Sequence, residues 1–338
     1  MIPSRILVVR LSSLGDVVLT TPVLAALKAA WPTARLTFLT KGAFAPVFKN
    51  HPEVDEVAVF EEKGLWGWAR EIRRRSFDGV VDLHGSLRSR VWSVLSRAPR
   101  RARYDKRAAD RRRLVRTKQV SPRLAGGVVD RYLETLAVLG VPPLGRIPKL
   151  YLGSEERLPV ALEKRLGPGP FVVVAPGALH LTKQWVPERF AETAERLSKG
   201  RPVVLVGAAA DASAADRVMQ NVKGPSLNLA GQTTLREMML VLHRGSLLLT
   251  NDSGAMHVAA ALGVPTVALF GPTVKAFGFF PVGDRTAVVE AGGLDCRPCS
   301  LHGSATCPLE HFRCMKDVTV DQAVEAAHSL LTKIAGKV

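Results

Sequence analysis

Short apolar runs alternating with amphipathic stretches along the whole chain constrain its fold more than any other feature. In the first half, the runs at 6–11, 36–40, 54–60 and 79–83 have strand length, and residues 17–30 and 65–75 between them carry helical periodicity. Strands that alternate with helices form βαβ units and a parallel sheet, because parallel neighbours need a long crossover between them. A Pro- and Gly-rich stretch from Val141 to Gly153 interrupts the rhythm and reads as a linker. The alternation restarts at Phe171 and continues through runs at 202–206, 227–229, 246–250 and 265–270. Pro187 falls at a helix start, Thr234-Leu235-Arg236-Glu237 is a capping box, and Ser253 and Gly263 bracket a further helix. A last helical pattern covers 320–334. The expectation for 338 residues is two doubly wound α/β domains, 1–153 and 154–338, facing a central cleft lined by carboxyl-end loops.

Charge narrows the class of partner. Lys and Arg number 47 against 30 Asp and Glu, a formal net charge of +17. Residues 1–160 hold 29 basic and 15 acidic side chains, and the remainder holds 18 and 15. Between Arg97 and Arg123 there are 12 basic residues against Asp105 and Asp110 alone. Such a surplus suits nucleic acid, a membrane surface or a phosphorylated substrate. Tyr104 is the one aromatic residue in that stretch, which leaves no platform for stacking bases, and no nucleic-acid-binding signature occurs. Phosphate recognition is the better fit. The strand-like Ile6-Leu7-Val8-Val9 follows Met1 without the regions of a signal peptide, and 254–271 is too broken to span a membrane. The expected location is cytoplasmic, with membrane contact at most peripheral.

Four segments carry candidate chemistry. Arg10-Leu11-Ser12-Ser13-Leu14-Gly15-Asp16 runs from strand to helix without the G-x-G-x-x-G of dinucleotide sites. Asp16 reads either as a helix-capping acid or as a carboxylate facing a ligand. Pro176-Gly177-Ala178 leads to Lys183, a phosphate ligand or a solvated surface lysine. Gly207 precedes Asp211, an acceptor for ribose hydroxyls or an ordinary first-turn acid. Asn251-Asp252-Ser253-Gly254-Ala255-Met256-His257 offers helix-start N–H groups to an anion, with His257 either packed or touching the ligand. The four cysteines, Cys296, Cys299, Cys307 and Cys314, have a C-x2-C-x7-C-x6-C spacing compatible with a structural zinc knuckle, with reduced thiols or with redox sensing.

Together, Arg10-x-Ser-Ser-Leu-Gly-Asp16-Val-Val-Leu-Thr-Thr-Pro22, Pro176-Gly177-Ala178 with Lys183-x-Trp185, and Asp252-Ser-Gly-x-x-His257-x-Ala-Ala-x-Leu-Gly-x-Pro265 resemble glycosyltransferase family 9, the lipopolysaccharide heptosyltransferases. The Cys-rich segment resembles the heptosyltransferase II-like members. Val186 stands between Trp185 and Pro187, where the family often reads Lys-x-Trp-Pro. The resemblance implies a GT-B fold of two Rossmann-like domains. It also implies inverting, metal-independent transfer of heptose from ADP-L-glycero-D-manno-heptose to the inner core of a phosphorylated lipid A acceptor at the inner membrane. Under it, Asp16 is the general base and Lys183 contacts donor phosphate. Ser13, Gly15, Pro176, Gly177, Asp211, Asp252, Ser253, Gly254 and His257 line the donor, and no cofactor is required. The arginines Arg73, Arg74, Arg75, Arg100, Arg101 and Arg103 are then candidates for the acceptor. A family member using another nucleotide sugar, or a basic nucleic-acid-binding protein on the same scaffold, are the alternatives.

Overall fold

Ile6, Leu7, Val8 and Val9 are all buried and form most of β1 (Arg5–Val9), the middle strand of the first of two parallel sheets. The computed structural model describes residues 3–336. β2 (Arg35–Thr40), β3 (Glu56–Val59), β4 (Gly79–Asp82) and β5 (Arg100–Arg103) complete that sheet in the order β3-β2-β1-β4-β5. Its crossovers contain α1 (Leu14–Val18), α2 (Thr21–Ala30), α3 (Gly64–Arg75) and α4 (Leu87–Leu95). The single helix expected over 17–30 is two helices. The Thr20 hydroxyl donates to the Val17 carbonyl at 2.6 Å, and Pro22, which has no N–H, opens α2. Trp68 and Trp92 fill the core between α3, α4 and the sheet, and the Trp92 indole donates to the Leu65 carbonyl at 2.9 Å.

The second sheet has the order β11-β10-β9-β6-β7-β8, from β6 (Val172–Ala175), β7 (Val203–Leu205), β8 (Ser226–Asn228), β9 (Leu247–Asn251), β10 (Thr266–Phe270) and β11 (Thr286–Glu290). After α5 (Ala108–Thr117) and α6 (Val128–Glu134), its helices are α7 (Val160–Leu166), α8 (Pro187–Ser198), α9 (Ala212–Met219), α10 (Leu235–Arg244), α11 (Gly254–Ala261), α12 (Arg313–Lys316) and α13 (Val320–Ala335). The Thr234 capping box forms: Glu237 accepts from the Thr234 N–H at 2.7 Å, and its own N–H donates to the Thr234 hydroxyl at 3.2 Å. Ser253 occupies the N-cap position of α11, but its hydroxyl lies 3.2 Å from that of Thr250 and caps nothing.

The boundary differs from a simple cut at 153. Packing groups 1–108 with 126–153, and 109–125 with 154–338. The excursion has an apolar cause: Leu114 and Leu124 are buried with Phe277, and the Arg111 guanidinium lies 5.3 Å from the Phe277 ring centre. The charge division shifts with it. The first unit has 22 basic and 12 acidic residues, net +10, and the second has 25 and 18, net +7. The surplus is therefore shared, and is not the property of one domain. Among the described residues, no helix is long and apolar enough to cross a membrane.

Candidate active site

In each sheet the strand order reverses at one place, between β1 and β4 in the first and between β6 and β9 in the second. Loops leaving the carboxyl ends of two such strands diverge to opposite faces, which opens a crevice for a ligand. The polar residues at and beyond the ends of these strands form a candidate site in each unit.

In the first unit, Arg10 follows β1 and is 7% exposed. It donates to the Leu83 carbonyl at 2.7 Å and pairs with Asp16 Oδ1 at 2.7 Å. Asp16 is the third residue of α1 and is engaged at both oxygens. Oδ2 accepts from the Ser13 N–H at 3.2 Å and the Ser13 hydroxyl at 2.9 Å, and Oδ1 accepts from the Tyr132 hydroxyl at 3.3 Å. One Asp16 oxygen thus serves the helix start, as the capping reading expects, and the other meets a buried cation and a phenol. Burial by itself pushes this carboxyl up. The Arg10 guanidinium and the Ser13 donors more than offset that, so it is held below the ordinary carboxylate range. Tyr132 is fully buried, which raises its phenol well above its usual value and keeps it a hydrogen-bond donor.

Across the crevice, Asp82 ends β4 with no exposure. Its Oδ1 accepts from the N–H groups of His84 (3.0 Å) and Gly85 (2.9 Å), and its Oδ2 from the Ser89 hydroxyl (2.9 Å). Arg103 Nε lies 3.6 Å from Asp82 Oδ2.

In the second unit, Asn251 ends β9 and Asp252 follows it. The Asn251 side chain accepts from the Trp185 N–H at 3.1 Å and donates to the Pro176 carbonyl at 2.7 Å, which ties three loops together. Val186 is the N-cap residue of α8, which begins at Pro187, and the Trp185 indole donates to the Val318 carbonyl at 3.2 Å. Lys183 Nζ pairs with Asp252 Oδ2 at 2.7 Å, and the same oxygen accepts from the Thr273 hydroxyl at 2.8 Å. An ammonium has three protons, so Lys183 keeps donors for a further anion. Asp211 accepts from the Ala208 N–H at 2.9 Å, and a Cβ on Gly177 would fall 2.1 Å from its Oδ1. Gly177 is glycine because Asp211 occupies that space. Gly254 opens α11, and His257, one turn on, is 6% exposed.

Several expected groups divide. Ser13 and Gly15 lie in the first unit, while Pro176, Gly177, Lys183, Asp211, Asp252, Ser253, Gly254 and His257 lie in the second. α1 has five residues, and both Ser13 donors are taken up by Asp16. Arg103, level with Asp82, ends β5 at the carboxyl edge, whereas Arg100, level with Gly79, begins it. Arg101, between them, is exposed. Arg73, Arg74 and Arg75 end α3. Arg74 pairs with Glu71 at 2.7 Å, and Arg75 with Glu71 and with Glu56, the first residue of β3, at 2.6 Å each. Arg75 is thereby placed at the amino edge of the sheet, away from Asp16. The Arg74 hydrogen bond, with help from Arg75, lowers the Glu71 carboxyl to about 2.

The four cysteines are free thiols. Burial raises Cys314 to about 11, with Cys299, Cys307 and Cys296 contributing. Among the described residues no group of three or more His, Cys, Asp or Glu side chains could hold a metal ion. The Cys-rich loop instead braces the lysine turn: Thr182 Oγ1 donates to the Ser304 carbonyl at 2.9 Å, and a Cβ on Gly303 would fall 3.2 Å from Lys183 Cγ.

Arg10, His84, Asp82, Tyr132, Asn251 and Thr273 were not among the assigned site residues. The signal for three of them was a polar residue closing an apolar strand. Tyr132 and Thr273 are brought in by packing alone.

The profile of glycosyltransferase family 9 (heptosyltransferase) matches residues 65–311. The chain is 27% identical to lipopolysaccharide heptosyltransferase 2 of Salmonella typhimurium, over 97% of this chain and 99% of that protein. It is 30% identical to lipopolysaccharide heptosyltransferase 1 of Pseudomonas aeruginosa, over 94% and 92%. The solved structure of E. coli ADP-heptose lps heptosyltransferase II superposes with a TM-score of 0.77 at 24% identity, covering 98% and 99% of the two chains, and its fold is shared.

Proposed function

The chain belongs to glycosyltransferase family 9 and has its GT-B fold, and from that premise we propose that it moves heptose from an ADP-activated donor to the inner core of lipopolysaccharide, with inversion and without a metal. The observation that carries the reading is the Asp16 carboxylate at the β1–β4 switch point, held ionised and oriented by Arg10, Ser13 and Tyr132. Asp16 takes the proton of an acceptor hydroxyl as that oxygen bonds to the anomeric carbon. The bond from that carbon to the β-phosphate oxygen breaks on the opposite face, and ADP leaves with the electron pair. Attack from the face opposite the leaving group inverts the anomeric centre.

Lys183 and the N–H groups opening α11 supply positive charge to the departing diphosphate, which removes the need for a metal. Asp252 and Thr273 fix the direction of the ammonium. The names of the relatives support heptose and a lipopolysaccharide acceptor. A cytoplasmic location on the inner membrane face agrees with Trp66, 72% exposed on α3 near the exposed Arg70 and Arg73.

The deciding experiment is a nucleotide-sugar screen by mass spectrometry with a deacylated inner-core acceptor, run with and without EDTA. Transfer from ADP-heptose in both is expected. Transfer from another nucleotide sugar alone would replace the donor, and loss of activity with EDTA would overturn metal independence.

A further inference from the structure

Beyond β5, against the β4 loop, lies a cation that has no acidic partner among the described residues. Arg10 is matched by Asp16 at 2.7 Å and Arg103 by Asp82 at 3.6 Å. Lys106 is half-buried within electrostatic reach of all four, yet it makes no hydrogen bond or ion pair among the described residues. Gly85, at φ +59°, makes room for it: a Cβ there would lie 3.2 Å from Lys106 Cε and 3.1 Å from the Tyr104 carbonyl. Beside it, the His84 Nδ1 is buried with no hydrogen-bond partner. A half-buried ammonium left unpaired costs free energy, and a ring nitrogen without a partner adds to the cost. An anion placed against both relieves them together.

We propose that Lys106, packed on Gly85, forms with His84 a subsite for one acidic group of the acceptor, a carboxylate or a phosphate. The subsite would hold the acceptor so that its hydroxyl meets Asp16, and Lys106 is in this sense a positioning residue. The inference rests on the reading that the first unit takes the acceptor.

Two measurements test it. In kinetics, Lys106→Met, which keeps the apolar stem over Gly85, should raise the acceptor KM about 10–100-fold. The donor KM and ADP-induced thermal stabilisation should not change, and Lys106→Arg should restore most of the loss. Acceptors lacking the phosphate, or with the carboxylate reduced, separate the two sources: the group whose removal makes wild type and Lys106→Met equal is the one bound. A penalty that persists on acceptors lacking both groups, an acceptor KM within twofold of wild type, or an equal rise in donor KM would overturn the proposal.

The second measurement needs no turnover and survives failure of the heptose reading. Calorimetry with inorganic phosphate and with glucuronate on the full chain, without nucleotide, should show binding that weakens at least tenfold in Lys106→Met for one of the two anions. Equal binding of both anions by the two proteins refutes the subsite whatever the donor proves to be.

Discussion

Asp16 and Asp252 each follow a strand that borders the switch point of its sheet, β1 in the first unit and β9 in the second. Each forms a 2.7 Å ion pair, yet the pairs are built in opposite senses. In the first unit the cation is the fixed partner: Arg10 is buried, anchored on Leu83, and supports the more exposed carboxylate. In the second the carboxylate is the fixed partner: Asp252 is braced by Thr273 and carries the more exposed ammonium. One scaffold therefore presents a carboxylate in one half and an ammonium in the other, according to which member of the pair is anchored, and the proposed function uses the first as base and the second as phosphate ligand.

The sharpest test of that division is Asp16→Asn. Turnover should fall by about 10²–10⁴-fold, with ADP-induced thermal stabilisation unchanged; joint loss of both would break the comparison. Arg10→Met removes the anchored partner and leaves a largely buried carboxylate uncompensated, at a cost of about 3 kcal/mol in chemical denaturation. Burial then pushes Asp16 up unopposed. The acid limb of kcat/KM should move to higher pH than in the wild type, where the carboxyl titrates below its ordinary value; an unmoved limb would detach Arg10 from the base.

Lys183→Ala should weaken donor use about 10–100-fold and remove ADP stabilisation. The acceptor KM should stay constant, and a rise in it would blur the two roles. The smallest effect concerns His84, whose proton affinity is lowered to about 4 by burial and by the Arg10 and Lys106 charges. The unfolded chain takes up a proton near pH 6.5 that the folded chain refuses until about 4. Stability should therefore be fully present above 6.5 and decline as pH falls from 6.5 to 4, by on the order of 1–3 kcal/mol. His84→Gln should flatten that slope in urea titrations at stepped pH.

Much of this frame was legible beforehand. Runs such as Ile6–Val9 and Val172–Ala175 are buried on both faces, and continuous apolar content is what such strands display. One edge strand of each sheet escaped. β5 is Arg-Arg-Ala-Arg, with Ala102 its one buried residue, so it carries no apolar run to read. β11 is half-exposed, with Val289 its one buried residue. The arginines of 73–75 looked equivalent to Arg103 in a charge count, but Glu71 and Glu56 already engage two of them at the other edge.

The sequence by itself determined the two parallel sheets, the caps at Pro187 and Thr234, and the loops holding Asp16, Lys183 and Asp252, because these follow from local periodicity and turn chemistry. Only the tertiary structure decided which charges cancel. It sent 109–125 into the second unit through Leu114 and Leu124. It matched Arg10 to Asp16 and Arg103 to Asp82, and left Lys106 over. Pairing depends on distances between residues far apart in the chain, and a formal charge of +17 carries no information about those distances.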